Sequence, residues 1–75
     1  MVVVYGKPTG CYGCKFTKET MDKLGIEYRE VDVTADPEAY DYISQDLGYS
    51  QVPVVVAPDG SHWSGLDPDR IKALA

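Results

Sequence analysis

The positions of hydrophobic and polar residues divide the chain into short strands and helices. Two apolar runs, VVVY at 2–5 and VPVVVA at 52–57, are typical of strands that are buried on both faces. By contrast, IEYREVDV at 26–33 alternates apolar and polar residues, which predicts a strand with one covered face. SHW at 61–63 predicts a fourth, short strand. We therefore expect two central strands and two outer strands.

Three segments have the features of helices. The first runs from Tyr12 to Leu24 with apolar residues at helical spacing, and Gly25 is a suitable residue to end it. The other two begin at Asp36-Pro37 and Asp67-Pro68, where an N-cap acid is followed by proline at the first helical position. The residues predicted to be buried on the second helix are Ala39, Ile43 and Leu47, and on the third helix Ile71 and Leu74.

The resulting order, βαβαββα, restricts the topology. The first two strands and the helix between them form a parallel unit with a right-handed crossover. The last two strands form an antiparallel hairpin around PDG at 58–60. With the apolar runs in the middle, we expect a four-stranded mixed sheet of order 2-1-3-4 with helices on both faces. This is a minimal thioredoxin-like α/β fold, built as a single domain over residues 1–75.

Composition and charge exclude several classes of function. The chain has 75 residues, 44% of them hydrophobic and 25% charged, which is typical of one small globular domain. A net charge of −5 argues against binding to nucleic acid. No apolar run is long enough for a membrane span or a signal peptide, so we expect a cytoplasmic protein. We also expect a monomer. Most acids lie between 27 and 46, whereas lysines surround the two cysteines.

The chain's only cysteines, Cys11 and Cys14, form a Cys-x-x-Cys pair at the predicted start of the first helix. Free backbone N–H groups and the helix dipole favour a thiolate at Cys11. Cys14 lies one turn later, on the apolar face. We therefore expect Cys11 to attack a disulfide in a partner and Cys14 to resolve the mixed disulfide, which leaves a Cys11–Cys14 bridge. This redox-active disulfide requires no cofactor.

Other uses of the pair remain open at this point. A structural disulfide would close too short a loop to restrict the unfolded chain much, and it is out of place in the cytoplasm. A zinc site normally has four ligands, whereas the two cysteines and the single His62 supply three at most. An iron–sulfur cluster shared between two chains is a third alternative. A Cys-x-x-Cys near a βαβ unit favours the redox interpretation.

Pro53 strengthens the redox hypothesis. A proline at the start of a buried strand cannot donate a hydrogen bond there, which indicates a special turn with a cis Val52–Pro53 peptide bond. In the expected topology this turn lies beside the thiols and leaves the backbone of Val52 free to pair with an extended substrate segment. The alternative is an ordinary edge or bulge proline.

Three segments, YGKPTGCYGCK, LGYSQVPVVV and HWSGLDPDRIKAL, together resemble the glutaredoxin-like NrdH-redoxins over essentially the whole chain. The resemblance implies a dithiol carrier that takes electrons from thioredoxin reductase and gives them to class Ib ribonucleotide reductase. NADPH would then be used only indirectly, through the reductase. In this family Cys11, Cys14 and Pro53 match the redox site. Trp63, Ser64 and Gly65 match a segment at the end of the fourth strand that is typical of this family.

The chain departs from the family pattern near the expected partner surface. The family segment usually reads Trp-Ser-Gly-Phe-Arg-Pro-Asp, whereas Leu66 and Asp67 stand here in place of the aromatic residue and the arginine. Tyr12-Gly13 also replaces the usual Met-Gln or Val-Gln pair. An opposite charge and a smaller apolar group alter the contacts that this segment offers to a partner.

We expect an apolar patch around Cys11 that binds partners. Its predicted members are Tyr12, Val52, Trp63 and Leu66, with Lys7 and Lys15 at its rim, and the wider partner surface also includes Gly13, Ser64, Gly65 and Asp67. The alternative for Trp63 is that its ring mainly covers the core. For the whole protein, the alternatives are a general protein disulfide reductase and a glutathione-dependent glutaredoxin. The latter predicts a glycine pair and a polar helix start after the fourth strand.

Overall fold

The computed structural model describes residues 1–75 and contains the predicted elements in the predicted order. The strands are β1 (Val2–Gly6), β2 (Tyr28–Asp32), β3 (Val54–Val56) and β4 (His62–Ser64). The helices are α1 (Tyr12–Leu24), α2 (Pro37–Asp41) and α3 (Pro68–Ala73), and a π-helical turn (Tyr42–Asp46) continues α2. The sheet order is β2-β1-β3-β4, with β1 parallel to β2 and antiparallel to β3. The predicted fold class is confirmed. None of the helices is long and apolar enough to cross a membrane.

The helices cover both faces of the sheet, and each face has its own apolar core. On one face α1 and α3 pack over a cluster made of Val2, Val4, Met21, Val55, Trp63 and Ile71. On the other face α2 and the turn after it pack over Val33, Ala39, Ile43 and Val54. Both clusters include a residue of β3, which lies inside the sheet.

The strand β1 is less completely covered than its apolar run predicts. Val2 and Val4 are buried under α1 and α3, whereas Val3 and Tyr5 on the opposite face are only half-buried. On that face Val3 and Tyr5 line an open cleft between the sheet and α2.

The expectation that β2 and its flanks have a single covered face is wrong. Ile26 and Tyr28 pack against the α1–α3 cluster, whereas Val31 and Val33 belong to the α2 cluster. Successive side chains of a strand point to opposite faces, so the two consecutive polar residues at 29–30 shift the apolar positions from one face to the other. This outer strand therefore contributes to both cores.

The second helix also differs from the expected regular helix ending at Gly48. After Asp41 the chain widens into the π-helical turn, in which the Leu47 N–H donates to the Tyr42 carbonyl at 3.1 Å. This i to i+5 bond inserts one residue into the turn and rotates later side chains. Ile43, at the start of the turn, is buried as expected, whereas Leu47, at its end, is only half-buried.

The predicted starts of α2 and α3 and the predicted end of α1 are confirmed. The carboxylates of Asp36 and Asp67 accept hydrogen bonds from the N–H groups of Ala39 and Arg70, each at 3.2 Å. At the other end of α1, Gly25 adopts the left-handed conformation with φ 71°, which a residue with a Cβ adopts only with strain.

Candidate active site

The thiol pair lies where β1 passes into α1. Cys11 is the N-cap residue of α1, and its Sγ accepts a hydrogen bond from the Cys14 N–H at 3.2 Å. The first turn of the helix carries no acidic residue, so the dipole and this N–H both favour negative charge on the Cys11 sulfur. Cys11 is partly exposed, whereas Cys14 is only 3% exposed. The structure contains the Cys11–Cys14 disulfide, and of its two sulfurs a partner has access to that of Cys11.

Gly6 is a further site residue, outside the set predicted from the sequence. It is the last residue of β1, and a Cβ built on it would lie 2.8 Å from the Cys14 Sγ. Carbon atoms do not approach sulfur that closely, so only glycine leaves room for Cys14 at this position. A glycine directly after a β-branched run is the one local signal of such a close approach.

Pro53 brings a second loop to the redox pair. The Val52–Pro53 peptide bond is cis, and Pro53 is buried. The Pro53 Cδ lies 3.0 Å from the position that a Cβ on Gly13 would occupy, between the two cysteines. The Val52 carbonyl oxygen lies 3.8 Å from the Cys11 Sγ. The loop before β3 therefore borders the thiols, as the topology predicts.

The backbone of Val52 is free to bind another chain. Neither its N–H nor its C=O takes part in a backbone hydrogen bond, whereas the carbonyl of the next residue, Pro53, accepts one from the Gly65 N–H. A pair of free backbone groups beside the reactive sulfur is suited to hydrogen bonding with an extended peptide.

The end of β4 and the residue after it are hydrogen-bonded to the same loop. The Gly65 N–H donates to the Pro53 carbonyl at 2.8 Å, and the Ser64 hydroxyl donates to the Gln51 carbonyl at 3.0 Å. Leu66 follows and is 43% exposed, with its Cβ 3.9 Å from the Cβ position on Gly13. Ser64 and Gly65 thus hold the loops together, and Leu66 reaches the surface beside the thiol pair.

Trp63 does not join the expected exposed patch; its ring covers the core instead, which was the alternative for this residue. Its side chain is 6% exposed and packs in the α1–α3 core, with the Arg70 guanidinium 5.7 Å from the ring centre. Trp63 occupies the middle of the three-residue strand β4, and it lies in the cluster that includes Met21 of α1 and Ile71 of α3. The exposed apolar surface near Cys11 is therefore made by Tyr12, which is 74% exposed, and by Leu66.

Asp67 has a structural role at the start of α3. Besides capping this helix, its carboxylate lies 3.4 Å from the Arg70 Nε. On the other side of the thiols, Lys7 and Lys15 are exposed and line an open cleft beside Cys11. The residues of the expected partner surface therefore divide between two sides of Cys11.

His62 lies apart from the cysteines. Its Nδ1 is 2.7 Å from the Tyr49 hydroxyl, and nowhere do three or more His, Cys, Asp or Glu side chains converge as metal ligands do. The Tyr49–His62 pair joins the segment after the π-helical turn to β4, a contact that no local pattern in the sequence predicts. The single His62 is thus engaged with Tyr49 in this structure.

Comparison with known proteins agrees with this geometry. The glutaredoxin family model matches residues 2–63. The chain is 38% identical over 73 residues to the glutaredoxin-like protein NrdH of Salmonella typhimurium, over 97% of this chain and 86% of that one. It is 41% identical over 73 residues to the gene 56 protein of Mycobacterium phage L5, over 97% and 70% of the two chains.

Among solved structures, the NrdH-redoxin of Escherichia coli superposes with a TM-score of 0.90 at 34% identity, over 99% of this chain and 93% of that one. The fold, the thiol pair and the sequence identity thus lead to the same family. The chain is a thiol-disulfide oxidoreductase of the glutaredoxin family, in the thioredoxin superfamily, and within that family it belongs to the NrdH-redoxins.

Proposed function

We propose that this redoxin carries electrons from thioredoxin reductase to class Ib ribonucleotide reductase, without dependence on glutathione. The observation that carries the proposal is the start of α3, where the Asp67 carboxylate already accepts the hydrogen bond from the Arg70 N–H. A negative charge at this helix start disfavours an anionic peptide such as glutathione. The solved E. coli relative is itself described as glutaredoxin-like with a thioredoxin-like activity profile.

The first step is attack on the disulfide of the acceptor. In the reduced protein the Cys11 thiolate attacks one sulfur of that disulfide, and the other sulfur leaves as a thiolate and takes up a proton. A mixed disulfide now joins Cys11 to the acceptor. The Cys14 N–H, which lies 3.2 Å from the Cys11 sulfur, and the start of α1 stabilise the attacking thiolate.

The second step releases the acceptor. Cys14 loses its proton and attacks the Cys11 sulfur, so that the Cys11–Cys14 bond forms and the second acceptor sulfur leaves as a thiolate. Two electrons have then moved from the redoxin to the acceptor, and both acceptor sulfurs are thiols after proton uptake. Because Cys14 is buried against Gly6, it meets Cys11 but not a second partner.

The surface around Cys11 suits a flexible cysteine-bearing tail. The free backbone groups of Val52 can pair with such a tail in extended form, and Tyr12 and Leu66 flank it with exposed apolar surface. Exposed aromatic groups often anchor transient partners. The tail thereby places its disulfide in line with the Cys11 sulfur.

Reconstitution tests the proposal directly. Deoxyribonucleotide formation is measured with a class Ib ribonucleotide reductase, thioredoxin reductase, NADPH and this redoxin as the sole electron carrier. We expect turnover that the Cys11→Ser variant lacks. In a parallel assay, glutathione with glutathione reductase replaces thioredoxin reductase, and we expect little turnover.

Two results would contradict the proposal in different ways. No activity above the Cys11→Ser control, across several class Ib enzymes, would leave a general protein disulfide reductase. Equal turnover with glutathione would instead support a glutathione-dependent glutaredoxin. The reduction of a small protein disulfide in the same mixtures confirms in each case that the redoxin is active.

A further inference from the structure

Cys11 borders a second surface that the proposed peptide path along Val52 does not use. An open cleft of about 440 Å³ lies between the loop after β1 and the first turns of α1. Its walls include Lys7, Lys15 and Lys18 together with Cys11 and Tyr12, and no residue from 51–53 or 64–67. The reactive sulfur therefore lies between the Val52 loop on one side and this lysine cleft on the other.

The lysine cleft is positive on an acidic protein. It has no Asp or Glu in its walls, and it holds three of the chain's seven basic residues, although the net charge is −5. Lys18 pairs with Glu30 at 3.0 Å, whereas Lys7 and Lys15 have no carboxylate within 4.0 Å. Two exposed cations beside the nucleophile are thus available to a bound partner.

We propose that the lysine cleft binds an acidic segment of the partner protein, next to the cysteine that Cys11 attacks. The inference rests on the proposed function in one respect, namely that the acceptor is a disulfide in a protein segment. An extended peptide advances about 3.3 Å per residue. A carboxylate one to three residues from the attacked cysteine therefore falls within reach of the Lys7 and Lys15 ammonium groups.

The charges act mainly on the encounter between the two proteins. Exposed ion pairs are weak and are screened by salt, so two of them accelerate the reaction by about fivefold at low ionic strength. The acidic remainder of the surface repels the same segment elsewhere, which favours approach to Cys11 in one orientation. The exchange itself is unchanged: Cys11 forms the mixed disulfide, one peptide thiol leaves, and Cys14 releases the second.

The experiment compares two peptides that each contain one intramolecular disulfide. In one peptide two Glu residues flank the attacked cysteine, and in the other they are replaced by Gln. Both are reduced in single turnover by the reduced redoxin, and the products are quantified by chromatography after acid quench. At about 0.01 M salt we expect the Glu peptide to react about fivefold faster, and at about 1 M salt the two rates converge.

Matched double variants locate the effect. Lys7→Gln with Lys15→Gln removes two charges from the lysine cleft, whereas Lys23→Gln with Lys72→Gln removes two exposed charges elsewhere. The readout is the ratio of the Glu rate to the Gln rate within each variant, so any change in the reactivity of Cys11 cancels. We expect the ratio to fall to about one in the cleft variant and to persist in the control.

Each other outcome overturns the proposal. A ratio of one in the unmodified protein shows that acidic segments have no advantage. A ratio that survives in the cleft variant, or is lost in both variants, shows that the cleft is not the binding site. If neither peptide is reduced at all, attack by Cys11 on a peptide disulfide fails, and with it the proposed function.

Discussion

Gly6→Ala is the substitution that most directly tests the packing of the resolving cysteine. The added Cβ would lie 2.8 Å from the Cys14 Sγ, whereas ordinary contacts begin at 3.4 Å, so the sulfur or the strand must move by at least about 0.6 Å. Both groups are buried, and β1 is held between β2 and β3. Neither partner can move without disturbing its neighbours.

The magnitude follows from two opposing contributions. Overpacking a buried site costs about 1 to 3 kcal/mol. Alanine restricts the unfolded chain more than glycine does, which offsets about 0.4 to 1 kcal/mol because Gly6 has no positive φ. At the middle of these ranges we expect the free energy of unfolding to fall by about 1.3 kcal/mol, and the Tm by roughly 5 to 10 °C for a domain of this size.

The assay is urea denaturation of the reduced protein in a double-mutant cycle with Cys14→Ala. That second substitution removes the sulfur with which the new Cβ collides, while the next contact, to the Cys14 Cβ, stays at 3.4 Å. Gly6→Ala should then cost less than about 0.5 kcal/mol in the Cys14→Ala background. An equal cost in both backgrounds, or no cost in either, would refute the close approach as the reason for glycine here.

Three further predictions concern the same structure. Cys14→Ser should accumulate a mixed disulfide through Cys11, detected by mass spectrometry, and an adduct through Cys14 in the reciprocal Cys11→Ser variant would reverse the roles. Asp67→Ala should lower the free energy of unfolding by about 1 kcal/mol, whereas Asp67→Asn retains the cap; equal losses would contradict the capping role. Hydrogen bonds from the hydroxyl and the N–H of Ser61 lower the pKa of Asp59. These bonds therefore stabilise the folded protein fully above the ordinary pKa of Asp, and the stabilisation is lost as the pH falls through the lowered pKa of Asp59. Ser61→Ala should raise the pKa of Asp59 towards its usual range in an NMR titration, and an unchanged pKa would contradict this cause.

Local signals in the sequence determined most of the fold. The positions of Asp36 and Asp67 before proline predicted two helix starts, because the capping bond and the fixed φ of proline involve only neighbouring residues. The two apolar runs predicted the central strands, because a strand inside a sheet has helices on both sides. The Cys-x-x-Cys spacing predicted the redox pair, and the topology built from these elements predicted that the loop with Pro53 lies beside it.

Most side-chain contacts between distant segments could not be predicted in this way. The burial of Trp63 depends on which face of the short strand β4 meets α3, and a run of three residues has no period that decides it. The widening of the second helix around Tyr42 and the pair between Tyr49 and His62 likewise depend on how the helix meets the sheet. These features are set by tertiary packing, which selects among local alternatives of similar energy.

The thiol pair shows which features of the site are set by the local sequence and which by tertiary contacts. The sequence by itself determined that Cys11 begins a helix and that Cys14 lies one turn later on its apolar face, because helix period and capping are local properties. Only the tertiary structure decided that Gly6 leaves room for the Cys14 sulfur and that the Val52 carbonyl reaches the Cys11 sulfur. Those contacts join strands and loops that are far apart in the chain, and their geometry exists only once the sheet has brought them together.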